Sequence, residues 1–255
     1  MSQETVQSVK RALSILEQIS LNYEGLTLTD LSTKVSMSKT TVLRLLSTLI
    51  QCGYIRRDQD NLRYKLGFKV LTLAAEFQKS IAWKEEAFPF IKQLQQTSGE
   101  TINLAVIDGT DVVYIERIES TQIVRASVRV GKRLSIHCTA LGKAILAHLD
   151  NTSIQRIIDE VDFVSLTANT ISNKDVFMQC LEKVRREGYA VDDEENQEGV
   201  RCIAAPIFNW NNQVIGAVSV SGPTLRISME HLSELAPEVK ETANNISRSI
   251  GWHGI

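Results

Sequence analysis

The sequence predicts an α+β protein in two parts, a small basic helical head and a larger body built on an antiparallel sheet flanked by helices. Three observations carry this. Charge is split along the chain: residues 1–75 hold ten Lys and Arg against six acids, while the 255-residue whole has a net charge of −2. Apolar residues recur at helical spacing through the first fifty residues. From Thr101 onward they switch to alternation and β-branched runs separated by helical stretches, the pattern of a sheet with helices packed on it. Hydrophobic content of 43% and charged content of 23% suit an ordinary globular chain.

The head begins with SVKRALSILEQI, in which Val9, Ala12, Leu13 and Leu16 share a helical face. TLTDLSTKV opens on Thr27 with Asp30 three residues later, a helix start with an acid in its first turn. SKTTVLRLLSTLIQCGY follows, with Ser38 as N-cap and Gly53 as stop. Val42, Leu45, Leu46, Leu49 and Ile50 form its apolar face, and Thr40, Arg44, Ser47 and Gln51 point away from it. YIRRDQDNLRYKLG then reads as two short strands around Asp58–Asn61. Two helices joined tightly, the second with a polar outer face, followed by a cationic hairpin, make a winged helix-turn-helix over residues 1–66. A plain three-helix bundle with a solvated face is the competing reading.

Contact chemistry assigns roles within that head. Arg44 is placed to form a bidentate pair with guanine, worth roughly 1–3 kcal/mol of discrimination. Thr40 and Thr41 reach a thymine methyl or a phosphate, while Ser38 and Lys39 fix the phosphate backbone. Arg57, Arg63 and Lys65 in the wing supply counterion release without sequence information. Two heads in a dimer would span half-sites roughly one turn (~34 Å) apart, so the expected partner is a near-palindromic duplex. A helix over 67–81 links head to body and is a candidate dimer seam. Phe88, Phe90 and Trp83 read as core.

In the body, residues 82–255, TINLAVIDGTDVVYIERIES is a hairpin around Asp108-Gly109, and IVRASVRVGKRL is expected to be a further strand. CTALGKAILAHL, SIQRIIDEV and NKDVFMQCLEKVRREGY are helices. YAVDDE and GVRCIAAPIFNWNNQVIGAVSVSG are strands that turn at Asn209–Asn212, and a long helix runs from Ser228. The four cysteines, 52, 138, 180 and 202, show no CxxC spacing, which suits free thiols in a reducing cytoplasm. The first residues lack the apolar core of a secretory signal, and no run is long enough to span a membrane.

An enzymatic reading needs a Cys202/His137/Asp192 constellation, a small-molecule hydrolase fused to a nucleic-acid-binding head. No nucleophile elbow, phosphate loop, HExxH or GxGxxG supports it, and four scattered histidines offer no metal site. No catalytic residue, metal or cofactor is therefore expected.

SKTTVLRLLSTLIQCGYI, YKLG, HCTALGKAILA, GYAVDDEENQEGVRCIAAPIF and VSVSGPTLRIS, in this order along the chain, resemble an IclR-type transcriptional regulator. GVRCIAAP and SGPTLR are similar to the branch that senses 2-keto-3-deoxygluconate. The resemblance implies a linker helix, a GAF-like effector-binding and oligomerisation domain, a homodimer or homotetramer on DNA, and repression of a carbon-catabolism operon relieved by a small carboxylate or sugar acid. It maps the pocket onto Ala140, Leu141, Asp192, Cys202, Ser219 and Ser221. The chemistry is consistent: Thr139 to Gly142 open a helix whose N–H groups would meet a carboxylate, and Ser219 and Ser221 share a strand face. Ile123 and Ala126 are expected on the apolar side. Asp192 is expected to accept ligand hydroxyls, which favours a hydroxylated acid over a bare keto acid. Cys202 is expected to serve as a wall or weak partner, not a nucleophile. A body that only oligomerises, with no effector, remains the second reading.

Overall fold

A computed structural model describes residues 5–79, 81–126 and 128–254. The chain divides into two compact units, residues 1–82 and 83–255.

The first unit holds helices α1 (Gln7–Ser20), α2 (Leu28–Lys34) and α3 (Lys39–Gln51), a hairpin of β1 (Ile55–Arg57) and β2 (Tyr64–Leu66), and α4 (Phe68–Lys79). Ile15, Ile19, Leu31, Val42, Leu46, Leu49, Ile55 and Tyr64 close its core. The face of α1 is rotated from the expected one. Ile15 and Ile19 are buried with Ala12 and Leu16 beside them, whereas Val9 and Leu13 are exposed. Ala12, Ile15, Leu16 and Ile19 recur at the same helical spacing as the expected face, and the contacts of α1 with α3 and β2 select them. Thr27 and Asp30 form a complete capping box on α2. Ser38 caps α3, accepting the Thr41 N–H at 3.3 Å. Between these helices the chain turns at Ser36 with φ 51°, held by the Ser32 hydroxyl donating to the Met37 carbonyl at 2.6 Å.

The second unit is a three-layer α+β sandwich. Its antiparallel sheet runs in the order β5-β4-β3-β8-β7-β6, with β3 Thr101–Asp108, β4 Asp111–Ile118, β5 Arg133–Ser135, β6 Ala190–Asp193, β7 Val200–Phe208 and β8 Val214–Pro223. The sheet packs with α5 (Trp83–Ser98) and α9 (Met229–Ser249), and with α6 (Ala140–Leu146), α7 (Asn151–Glu160) and α8 (Lys174–Glu187).

Strand register explains where the helices lie. Because side chains alternate, residues paired across strands share a face. One row reads Ala190, Ala204, Ser219, Asn103, and the next Pro206, Ala217, Ala105. These small residues admit α6 close to the sheet, and Gly142 completes the fit: a Cβ there would stand 2.4 Å from the Ile136 carbonyl oxygen. One row further out the residues become polar: Asp192, Cys202, Ser221, Thr101. The helix stops at Thr139, whose hydroxyl accepts the Gly142 N–H at 3.1 Å.

The strand expected over 123–134 is not formed. Only residues 133–135 form a strand on β4, with Gly131 and Lys132 adding backbone hydrogen bonds to Tyr114, and the described residues from 121 to 130 are irregular. Arg117, on β4, draws that segment over the sheet. Its guanidinium donates to the carbonyls of Ala126, at 3.1 Å, and Val128, so those groups bind a side chain and not a neighbouring strand.

Candidate functional sites

In the first unit, Lys39, Thr40, Arg44, Ser47 and Gln51 are all exposed on α3, opposite the buried Val42, Leu46 and Leu49. Ser38 is also exposed, but its hydroxyl pairs with that of Thr41 at 2.9 Å, so these two groups cap the helix. The wing departs from expectation. Arg63 donates to the Gly25 carbonyl at 2.8 Å, and Lys65 is ion-paired with Asp58 at 2.9 Å. Lys65 holds the hairpin together and Arg63 ties it to the loop before α2, so neither is a free phosphate ligand. Arg57 remains exposed, lying over the Tyr64 ring, and Arg56, which sequence reasoning passed over, is exposed beside it. The reason is topological: Gly25–Leu26 pairs with Tyr64 and brings a carbonyl to Arg63 that nothing in the hairpin sequence announces.

In the second unit, the outer polar row forms the wall of a cavity of about 180 Å³. Thr101, Asn103, Tyr114, Asp192, Cys202 and Ser221 line it from the sheet, with Val200 at the first position of β7, Thr139 from the start of α6, and Asn196 and Gln197 from the loop before β7. Arg125, Ala126 and Val128 close it from the segment held by Arg117. Of the expected residues, Ala126, Asp192, Cys202 and Ser221 line this cavity.

The other expected residues do not. Ile123 is 95% exposed, because the segment carrying it is a loop and not a strand. Ala140 and Leu141 are packed into the core, and the Gly142 N–H is taken by Thr139. Ser219 lies one row inward and meets the cavity only through Asn103, whose amide nitrogen is 3.3 Å from its hydroxyl oxygen.

Asp192 is almost fully buried, and burial pushes its carboxyl up to about 7, with nearby Glu195 adding to the rise. Lys143 and the N–H groups of Glu195 and Asn196 pull the other way. Those N–H groups donate to Oδ1 at 2.8 and 3.4 Å, so this oxygen anchors the loop 194–199 and is not held for a ligand hydroxyl. Burial raises the Cys202 thiol far above its ordinary value, and Asp192 raises it further, so the sulfur stays protonated and non-nucleophilic. His137 does not complete a triad. Its Nδ1 meets the Ser135 hydroxyl at 2.7 Å and its Nε2 the Val164 carbonyl at 3.1 Å, and it does not line the cavity. Lys143 and Glu195 form a buried ion pair behind the loop. Among the described residues no cluster of His, Cys, Asp and Glu could hold a metal ion.

A reading helix with an exposed polar face, beside a cationic wing, and a separate unit with a polar ligand-sized cavity define a DNA-binding transcriptional regulator with a sensing domain. The chain belongs to the IclR family. The IclR helix-turn-helix domain matches residues 8–59, and the bacterial transcriptional regulator IclR C-terminal domain matches residues 77–248. The HTH-type transcriptional regulator XynR of Escherichia coli is 34% identical over 97% of this chain and 98% of its own length. The HTH-type transcriptional regulator KdgR of the same organism is 34% identical over 98% of this chain and 95% of its own. The crystal structure of the Thermotoga maritima IclR covers 96% of this chain and 99% of that one, with 31% identity and a TM-score of 0.80.

Proposed function

We propose that the chain represses a carbon-catabolism operon and releases its operator when a small carboxylate or sugar acid occupies the cavity. The observation that carries the reading is the polar row Asp192–Cys202–Ser221–Thr101, left uncovered where α6 stops. Under the helix the same face carries Ala105, Ala190, Ala204, Pro206 and Ala217, and its two polar residues, Ser219 and Asn103, pair with each other. Arg125 lines the same cavity and is ion-paired with Glu119 at 3.0 Å, so a carboxylate bound there would share or replace that pair. The 34% identity to KdgR and XynR, and the 30% identity to the Transcriptional repressor IclR, support repression in response to a small molecule. The inert thiol and the engaged His137 favour sensing over hydrolysis.

Ser38, Lys39, Thr40, Thr41 and Arg44 face DNA, with Arg57 and Arg56 along the phosphates. The assembly is a homodimer or homotetramer on a near-palindromic site. Its seam includes the exposed apolar residues Phe68, Leu71 and Leu73 of α4 and Val9 and Leu13 of α1. The protein works in the cytoplasm. Among the described residues no helix is long and apolar enough to cross a membrane.

The test is a gel shift with the full chain and its operator. Hydroxylated and keto acids of three to six carbons are titrated, and a thermal-shift measurement is made on the same samples. Release of DNA by acids that also raise the melting point is the expected result. Operator affinity indifferent to every acid would reduce the body to an oligomerisation scaffold.

A further inference from the structure

Asn103 is the third residue of β3, 1% exposed, and lines the cavity. Its Nδ2 has both protons committed, one to the Ser219 hydroxyl oxygen at 3.3 Å and one to that of Ser221 at 3.1 Å. Its Oδ1 is buried and has no hydrogen-bond partner in the protein. A buried acceptor left unpaired is costly, and each such group calls for an explanation.

The amide could in principle be turned round, since a serine hydroxyl accepts or donates equally well. Ser221 decides the orientation. The Asn103 nitrogen meets both serine oxygens, which leaves its carbonyl end without a partner. Cys202 stands opposite Ser221 in the strand register and offers the serine proton a weak acceptor, so the Ser221 oxygen is free to accept from Nδ2. An acceptor with nothing to accept selects a ligand that donates. A hydroxyl donates; a ketone, a methylene or a carboxylate does not.

We propose that Asn103 is the specificity-determining residue of the cavity, that its Oδ1 receives a hydroxyl proton from the effector, and that the effector class is therefore hydroxylated aliphatic acids rather than their keto or deoxy counterparts. Ser219 is a positioning residue that holds the amide in this orientation. The proposal rests on the reading of the cavity as the effector site, and moves hydroxyl recognition from Asp192 to Asn103.

The experiment uses the full chain and three matched pairs of acids: lactate and pyruvate, tartrate and succinate, gluconate and hexanoate. Affinities are measured by calorimetry and thermal shift. Wild type binds the hydroxylated member of a pair about tenfold more tightly, the effect of one satisfied buried acceptor. In Asn103→Leu that ratio falls to about one. In Asn103→Asp, which keeps an acceptor oxygen and the size of the side chain, the ratio is retained. In Ser219→Ala binding persists with a reduced ratio, which loss of stability alone would not produce. A melting curve for each variant establishes that it is folded.

A hydroxyl preference unchanged in folded Asn103→Leu, or absent from wild type, overturns the assignment of Asn103 and leaves the site intact. Acids that bind equally well when Val200→Trp fills the cavity overturn the effector-site reading itself. No binding by any of the six overturns both.

Discussion

Replacing Asp192 with Asn tests the electrostatic logic of the cavity wall. An ordinary aspartate ionises near 3.8, whereas burial pushes Asp192 to about 7. The folded state therefore holds a proton that the unfolded chain has already lost between those values. Stability is highest at the acid end of the window and falls as pH rises, because the unfolded state binds fewer protons there. The decline is complete once pH passes the folded value. At about 1.4 kcal/mol per pKa unit, the ionised carboxylate costs roughly 4 kcal/mol of body stability above neutrality. Asparagine keeps an oxygen for the N–H groups of Glu195 and Asn196 but cannot ionise. The variant should lose the decline between pH 5 and 8 and exceed wild type in stability at pH 8. The assay is urea unfolding followed by tryptophan fluorescence. Trp83, Trp210 and Trp252 all lie in residues 83–255, so the signal reports the body and is blind to the head. Parallel stability profiles for the two proteins across that range would refute the reasoning.

Arg44→Ala should relax base preference, while Arg57→Ala should weaken all DNA about equally and lower the salt slope by about 1, both read by binding at several salt concentrations. Lys65→Ala should act chiefly on wing stability through the lost Asp58 pair, and so change DNA affinity less than Arg57→Ala. Lys143→Met leaves Glu195 buried without its cation and should destabilise the body by about 3–5 kcal/mol in urea unfolding; Lys143→Met with Glu195→Leu should recover much of that. Gly142→Ala forces a methyl against the Ile136 carbonyl and should abolish or strongly lower the body's cooperative transition in the same assay.

Much of this was legible in the chain. The capping signals at Thr27 and Ser38, the hairpin at Gly109 and the parity of Ser219 and Ser221 depend on neighbours within a few residues, and local chemistry settles them. What escaped depends on distant partners. VRASVRV alternates like a strand, but Arg117 captures its carbonyls, so Ile123 leaves the cavity and Ala126 stays. The two serines do share a face, yet only Ser221 is uncovered, because α6 reaches the row of Ser219 and ends before the next. Asn103 carried no signal in sequence, where TINLAV reads as a strand interior with one polar residue. Its importance appears only when register places two hydroxyls across the strand from it.

The body's two polar clusters are joined by one short loop. Asp192 Oδ1 fixes the N–H groups of Glu195 and Asn196, so Asn196 and Gln197 present their side chains to the cavity, while the Glu195 side chain turns back to Lys143 at the centre of α6. The Glu195 carbonyl accepts from the Thr170 hydroxyl at 2.6 Å, which ties the same loop to the segment before α8. A ligand that displaced Asn196 would therefore load the Asp192 cap on one side and the buried ion pair on the other. A buried pair tolerates little displacement before its desolvation is uncompensated. The loop thus links the wall of a cavity of about 180 Å³ to α6, the helix on which the core of the body is packed, through two contacts that cannot both be kept if Asn196 is displaced.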